Sequence, residues 1–137
     1  KKLISGSYIF GSLKKAKDPE TVIWTKQNVK EYPNINVSNL GFSNPETISN
    51  ANPQQDKFIW PTAEVVQWVS FAGDTLRGIL YKPDNFDESK KYPMISYFYE
   101  RHLYSFNYYH VPKPSKSIIS ISFYVSNGYI VFVPDIV

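Results

Sequence analysis

The sequence contains no cysteine, so it can form no disulfide bond, no thiolate metal site and no cysteine nucleophile. Its basic residues are scattered: 15 Lys and Arg stand among 12 Asp and Glu, give a net charge of +3, and form no run longer than two. Nucleic-acid binding is therefore not expected. No apolar run approaches the roughly 20 residues of a membrane-spanning helix, and no signal-peptide pattern opens the sequence.

The 137 residues, 42% of them apolar, suffice for one ordinary core or for parts of two. Composition changes near residue 60. Before that point, short β-type runs at residues 7–10, 21–25 and 35–37 predict a meander of antiparallel strands. The Asn-rich and Pro-containing stretch at 34–56 predicts turns and loops. We therefore expect two parts, residues 1–61 and residues 62–137.

The second part has the pattern hairpin, strand, helix, strand. Gly73-Asp74 can supply the positive φ of a tight two-residue turn, so residues 65–71 and 76–82 are expected to form an antiparallel hairpin. Residues 94–99 and 129–133 are nearly continuous apolar runs, which is typical of strands covered on both faces in a parallel sheet. The gap between them is long enough for a crossover helix.

The segment between those two strands fits two structures. Residues 117–125 are rich in β-branched side chains, and their apolar alternation suits a strand. The same segment has apolar residues at helical spacing, a Ser after Pro114 that could cap a helix, and Asn127-Gly128 that could end it. We predict a helix between residues 116 and 127.

The order of these pieces resembles the prolyl oligopeptidase family of serine peptidases, which includes the dipeptidyl peptidase IV and acylaminoacyl peptidase types. The residues from Asn50 to Pro53 resemble the linker at the exit of the family's propeller. The hairpin resembles the family's motif in which Asp-Gly precedes L-x-G-x-L-Y-K-P, here with Gly73-Asp74 in place of Asp-Gly. Lys91-Tyr92-Pro93 is similar to the start of the family's third hydrolase strand, and the run from Asn127-Gly128-Tyr129 to Pro134-Asp135 is similar to its fourth.

This resemblance covers residues 50–137, whereas for residues 1–49 it rests on strand spacing alone. It implies a mixed fold, with β-propeller strands and a linker in residues 1–61 and the N-terminal portion of an α/β-hydrolase sheet in residues 62–137. It also implies a parent protein that hydrolyses peptide substrates with a Ser-His-Asp triad and without a cofactor or metal.

The resemblance further implies that the triad lies outside this sequence, which has no G-x-S-x-G nucleophile motif. A buried strand that runs to the last residue and a Lys-Lys start without Met suggest a piece of a longer protein. We expect this fragment to be inactive alone and to self-associate through its uncovered sheet. The parent is expected to be periplasmic or otherwise exported.

Tyr99 is the one candidate catalytic residue. Some members of the family place a tyrosine at the end of the third strand, where its hydroxyl helps hold the tetrahedral oxyanion, and a phenol O–H can donate to that developing charge. Alternatively, Tyr99 is one of eleven tyrosines and packs at the sheet edge. The glycine turn that usually follows this strand is replaced by Glu100-Arg101-His102, which would bring a backbone N–H less freely to the substrate.

The loop at residues 102–114 is rich in aromatic rings. The rings either line a substrate pocket at the carboxyl ends of the strands or, as we favour, pack the loop against the propeller or the rest of the hydrolase domain; they are Tyr104, Phe106, Tyr108 and Tyr109. Neither His102 nor His110 is expected to belong to the triad, because the family's catalytic His follows the nucleophile. Two histidines without nearby carboxylates also make a poor zinc site. Asp135 is expected to form local hydrogen bonds.

A second class of function fits the same composition, namely a non-catalytic, all-β module that binds glycan or protein through aromatic residues. It would require residues 117–125 to form a strand, so a helix there would count against it. Trp24, Trp60 and Trp68 are expected to serve packing rather than glycan binding. Asn36-Val37-Ser38 is a formal glycosylation sequon, a pattern that often occurs by chance.

Overall fold

The computed structural model describes residues 2–17 and 20–136, and this part of the chain is mostly β-sheet. It contains two four-stranded sheets, one short α-helix and two short 3-10 helices. The chain forms two compact units: the residues up to Pro53 together with Asn107–Tyr109, and Gln54–Phe106 together with the residues from His110 onward. None of the helices described is long and apolar enough to cross a membrane.

The sheet of the first unit is the predicted meander of antiparallel strands. Its strands pair in sequence order and are β1 (Ile9–Lys15), β2 (Thr21–Gln27), β3 (Asn34–Asn39) and β4 (Glu46–Thr47). The β-type run predicted at residues 35–37 is confirmed as β3, which is longer than predicted and lies within the stretch 34–56 that was expected to favour turns and loops. The Asn36 side chain donates to the Asn34 carbonyl and accepts from the Thr47 hydroxyl, so this asparagine finds partners inside the sheet.

Trp24 anchors the core of this unit. It is buried, its ring lies 5.7 Å from that of Phe10 and 5.8 Å from that of Phe42, and its Nε1–H donates to Ser38 Oγ. Packing is therefore the role of Trp24, as predicted. Asn36 is only 2% exposed, so the sequon that it begins is closed to modification in the folded unit.

The sheet of the second unit has the order β5-β6-β8-β7. Its strands are β5 (Pro61–Val69), β6 (Thr75–Pro83), β7 (Met94–Ser96) and β8 (Ile130–Pro134). The predicted hairpin is confirmed, because β5 and β6 pair antiparallel along their whole length. Its turn is longer than the predicted two residues: the Ser70 N–H donates to the Asp74 carbonyl, and Gly73 alone among residues 70–74 has a positive φ, at 90°.

The two predicted apolar strands pair in parallel, as expected, and β8 also pairs antiparallel with β6. The prediction that both are covered on both faces was wrong for β7. This strand ends at Ser96 and forms the edge of the sheet, where Met94 is 60% exposed. In β8, by contrast, Val131 and Val133 are buried; they lie on the same face of the sheet, and α1 contacts this strand.

The helix predicted between residues 116 and 127 is present but shorter, and we label it α1 (Ile121–Ser126). Gly128, with a φ of 82°, ends it as predicted. The preceding β-branched residues remain outside the helix, and the Ser115 hydroxyl accepts from the Ile118 N–H in the loop before it. A helix in this segment counts against the all-β binding module.

The core of the second unit lies where β6, β8 and α1 meet. Its fully buried side chains include Ile79, Tyr81, Val125 and Val131. Trp60, the residue just before β5, is also buried, and the Trp68 ring packs edge-on against the Phe132 ring with centroids 5.6 Å apart. The expectation that these two tryptophans serve packing is confirmed.

Gly78 lies where β6 and β8 come close together. A Cβ atom at this position would stand 2.8 Å from the Cα of Pro134 and 2.9 Å from the carbonyl oxygen of Val133. Because these are backbone atoms, they cannot rotate aside. We expect Gly78→Ala to lower the free energy of unfolding by roughly 1–3 kcal/mol, measured by urea denaturation. Gly11→Ala is the matched strand control, since its Cβ would meet only the Thr25 hydroxyl, at 3.4 Å; equal losses in the two variants would contradict the argument.

Candidate functional site

The carboxyl ends of β7 and β8 lie at the same edge of the sheet, because these two strands run in parallel. The chain leaves β7 after Ser96, and the Tyr97 N–H still donates to the carbonyl of Phe132, at 2.9 Å. In open sheets that contain parallel strands, ligands bind beyond the carboxyl ends of those strands. The residues that follow β7 and β8 therefore form the candidate site.

Tyr99 lies three residues beyond the end of β7 and is 73% exposed. Within the part of the chain that the structure describes, its hydroxyl makes no hydrogen bond and its ring makes no aromatic contact. Its O–H is free to donate to a ligand, and its catalytic role stays a prediction.

The turn after Tyr99 needs no glycine. No residue between 97 and 106 has a positive φ, so Glu100 and Arg101 adopt ordinary backbone conformations. Their backbone N–H groups have no acceptor among the described residues, while the Glu100 carbonyl accepts from the Ile136 N–H. The two residues that follow Tyr99 in the chain thus keep backbone donors without an acceptor in the described structure, although neither residue is glycine.

Asp135 holds this turn in place. One oxygen of its carboxylate accepts hydrogen bonds from the backbone N–H groups of His102 and Leu103, and its own N–H donates to the carbonyl of Arg77. These bonds tie the end of β8 to β6 and to the loop after β7, and they satisfy free donors at the start of the 3-10 helix Leu103–Ser105. Asp135 has the structural role that was predicted, but the prediction of local hydrogen bonds was wrong, because its partners His102 and Leu103 lie 33 and 32 residues away in the sequence.

His102 lies among aromatic rings. Its imidazole is 5.8 Å from the Tyr97 ring and stacks on the Tyr104 ring at 6.2 Å, and its Nε2 is buried without a hydrogen-bond partner in the described structure. The described residues include no cluster of three or more His, Cys, Asp or Glu side chains that could hold a metal ion. The ring of His102 therefore fills space beside the turn.

The sequence analysis missed a buried pair that is formed by Tyr81 of β6 and His110 of the loop before α1. His110 Nε2 is 3.2 Å from the Tyr81 hydroxyl, and the two rings are perpendicular with centroids 5.1 Å apart. Burial raises the pKa of Tyr81 to about 12, against a hydrogen bond from Ser105 that lowers it, and burial lowers the pKa of His110 to about 4. Both groups are neutral at pH 7. The burial of Tyr81 could have been predicted, because it lies two residues after Ile79 and so on the same inward face of β6. No pattern in the sequence indicates that His110 is its partner.

Tyr109 belongs to the first unit and is a packing residue there. Its ring meets that of Tyr32 edge-on at 5.2 Å, its hydroxyl accepts from the Asn52 amide, and its N–H donates to Gln27. Burial is the main cause that raises the pKa of Tyr109 to about 12. The Tyr109 ring therefore packs within the first unit, whereas Tyr104 of the same loop is exposed.

No family model and no curated protein matches the sequence. Solved structures do match the fold. An acylaminoacyl peptidase from Pyrococcus horikoshii matches 98% of this chain with a TM-score of 0.66 and 14% identity. The AtxE2 isopeptidase matches 93% with a TM-score of 0.62 and 12% identity, and a structure from a study of two prolyl endopeptidases matches 93% with a TM-score of 0.53 and 14% identity. The chain has the fold of a segment of the prolyl oligopeptidase-type peptidases.

The predicted resemblance to prolyl oligopeptidase-type structures is thus confirmed at the level of fold. The chain spans 18–20% of the length of these three structures. Identities of 12–14% carry no residue roles with them, so Tyr99 has to be judged by its own surroundings.

The buried His110 predicts acid sensitivity within this prolyl oligopeptidase-type fold. In the unfolded chain its pKa returns to 6.5, so as the pH falls below 6.5 the unfolded state binds a proton that the folded state refuses until about pH 4. The stability that depends on neutral His110 is therefore fully present above pH 6.5 and is lost as the pH falls toward 4. Between pH 7 and pH 5 we expect His110 to account for a loss of roughly 2 kcal/mol in the free energy of unfolding, measured by urea denaturation.

The variant His110→Gln should abolish this part of the pH dependence, and His102→Gln is the control because it removes the other histidine of the chain. An unchanged pH dependence in His110→Gln would show that the burial of His110 does not cause the acid sensitivity.

Proposed function

We propose that this chain is part of a serine peptidase of the prolyl oligopeptidase family, which hydrolyses peptide bonds with a Ser-His-Asp triad supplied by residues outside it. The observation that carries the proposal is the match of nearly the whole chain to a segment of several peptidase structures, with TM-scores up to 0.66. The hairpin ending in Leu80-Tyr81-Lys82-Pro83 and the Pro134-Asp135 that follows β8 support it at the level of sequence.

The proposal assigns residues 1–61 to the end of a β-propeller and its linker, and residues 62–137 to the N-terminal part of an α/β-hydrolase domain. Four antiparallel strands in sequence order, as in β1 to β4, are the arrangement of a propeller blade. A hairpin followed by two parallel strands with α1 between them supports the second assignment. Because β7 and β8 are parallel neighbours, the chain that connects them has to cross over the sheet.

In the proposed reaction, attack on the scissile carbonyl places negative charge on its oxygen. The Tyr99 hydroxyl, exposed and without a partner in the described structure, would donate a hydrogen bond to that oxygen. The N–H groups of Glu100 and Arg101, the next two residues of the chain, would be further donors, and Asp135 fixes the backbone that follows them. Donors held in place before the charge forms need not reorganise during the reaction, which is why they lower the barrier.

The test uses the complete protein that contains this segment, assayed on chromogenic peptide substrates. We expect Tyr99→Phe to lower kcat by roughly 10²–10³-fold with little change in KM, because the hydroxyl acts on charge that develops only in the transition state. Tyr104→Phe is the matched control, since Tyr104 is an exposed tyrosine of the same loop.

The two parts of the proposal fail separately. Absence of peptide hydrolysis by the complete wild-type protein would overturn the peptidase assignment. Full activity of Tyr99→Phe would leave that assignment intact and remove Tyr99 from the site.

We also propose that the chain self-associates through the outer edge of β7. Among the described residues this strand has a neighbour on one side only. Tyr97 and Pro93 bond to β8, and because alternate residues of a strand bond to opposite sides, the N–H of Ser96 faces the open side. Ser96→Pro removes that donor and leaves the bonds to β8 in place, so it should convert self-associated wild type to monomer in light scattering. Ser96→Ala, which keeps the N–H, should associate like wild type. Monomeric wild type at high concentration would contradict the proposal.

A further inference from the structure

An open cavity of about 700 Å³ lies in the second unit, beside the edge strand β7 and the helix α1. Ile95 and Tyr97 form one side of it, Phe123 and Tyr124 form another, and residues 112–120 close the rest. Small-molecule and peptide sites in proteins commonly have volumes of roughly 300–1,000 Å³. The cavity is large enough for two or three residues of an extended peptide.

The charged side chains that line the cavity are all positive. Lys113 and Lys116 are the only charged residues that line it, and neither forms an ion pair with any residue that the structure describes. Two ammonium groups without a neighbouring carboxylate create a positive potential at the cavity, which favours an anionic ligand.

The remaining lining combines apolar surface with hydroxyl groups. Ile118 and Phe123 expose most of their side chains, which offers apolar contact to a ligand. Ser120 Oγ is buried and has no hydrogen-bond partner among the described residues. A buried hydroxyl without a partner is costly, so a ligand that brings amide N–H or C=O groups gains more here than a plain hydrocarbon chain.

We infer that this cavity binds the C-terminal end of an apolar peptide. The free α-carboxylate lies at Lys113 and Lys116, the terminal side chain contacts Ile118 and Phe123, and the last peptide groups face Ser120. Tyr99 is not among the lining residues, and binding requires no triad. The inference therefore goes beyond the proposed hydrolysis and is tested on the chain itself, without an activity assay.

The experiment titrates the full chain with N-acetyl-Leu-Phe as the free acid and, in parallel, with its C-terminal amide, using calorimetry. The free acid should bind at one saturable site, about tenfold more tightly than the amide, because only the acid carries the charge that the lysines attract. Decanoate serves as the second anionic probe and should bind more weakly than the peptide acid, since it offers no amide groups.

The lysines are tested by the double variant Lys113→Gln with Lys116→Gln, which should weaken binding of the peptide acid about tenfold and leave the amide unaffected. The control, Lys57→Gln with Lys91→Gln, changes the net charge equally at positions outside the lining and should bind like wild type.

Equal affinities for acid and amide, equal losses in the two double variants, or no saturable binding of the peptide would each overturn the inference. Tighter binding of decanoate than of the peptide acid would also overturn it, because it would assign the cavity to a fatty acid.

Discussion

The second unit depends on β8, the strand that has one antiparallel and one parallel neighbour. It pairs antiparallel with β6 and parallel with β7, and its side chains Val131 and Val133 are buried in the core. Among the described strands β7 has no other partner, so its position follows from β8. The close approach to β6 at Gly78 comes from the same strand, which is why a single methyl group there should be felt in stability.

The position of β8 also decides the geometry of the candidate site. Where the strand ends, Asp135 reaches the backbone of His102 and Leu103, so the loop after β7 is fixed by the residue that follows β8. A carboxylate that accepts two backbone N–H groups is strongly held, because charge-assisted hydrogen bonds are the stronger kind. The exposed Tyr99 therefore stands on a turn whose far end is anchored, and a later residue of the same loop, the buried His110, is joined to β6 by its contact with Tyr81.

Elements that depend on a local sequence pattern were predicted correctly. Features that depend on the order of the strands in the sheet were not. Alternation and Gly73 were sufficient for the β5–β6 hairpin, and Gly128 ended α1 as expected, because these signals act over a few residues. Whether an apolar run is central or at an edge depends on pairing across the chain, so Met94 looked buried and is exposed. The hydrogen bonds between Asp135 and His102 and between His110 and Tyr81 join residues about 30 positions apart in the sequence. The periodicity of apolar residues cannot reveal such pairs.

Identities of 12–14% with a shared fold mean that the scaffold constrains few individual residues. A strand tolerates any side chain that fits its buried or exposed face, so the pattern persists while the residues change. Function is carried by the segments between strands, and in this chain the loop from β7 to α1 holds both the free hydroxyl of Tyr99 and the lysine-lined cavity. If that cavity binds peptide carboxylates, the chain recognises a peptide end through residues that the fold itself does not require. Specificity could then change from one member of this fold to another through that loop alone, with the sheet beneath it unaltered.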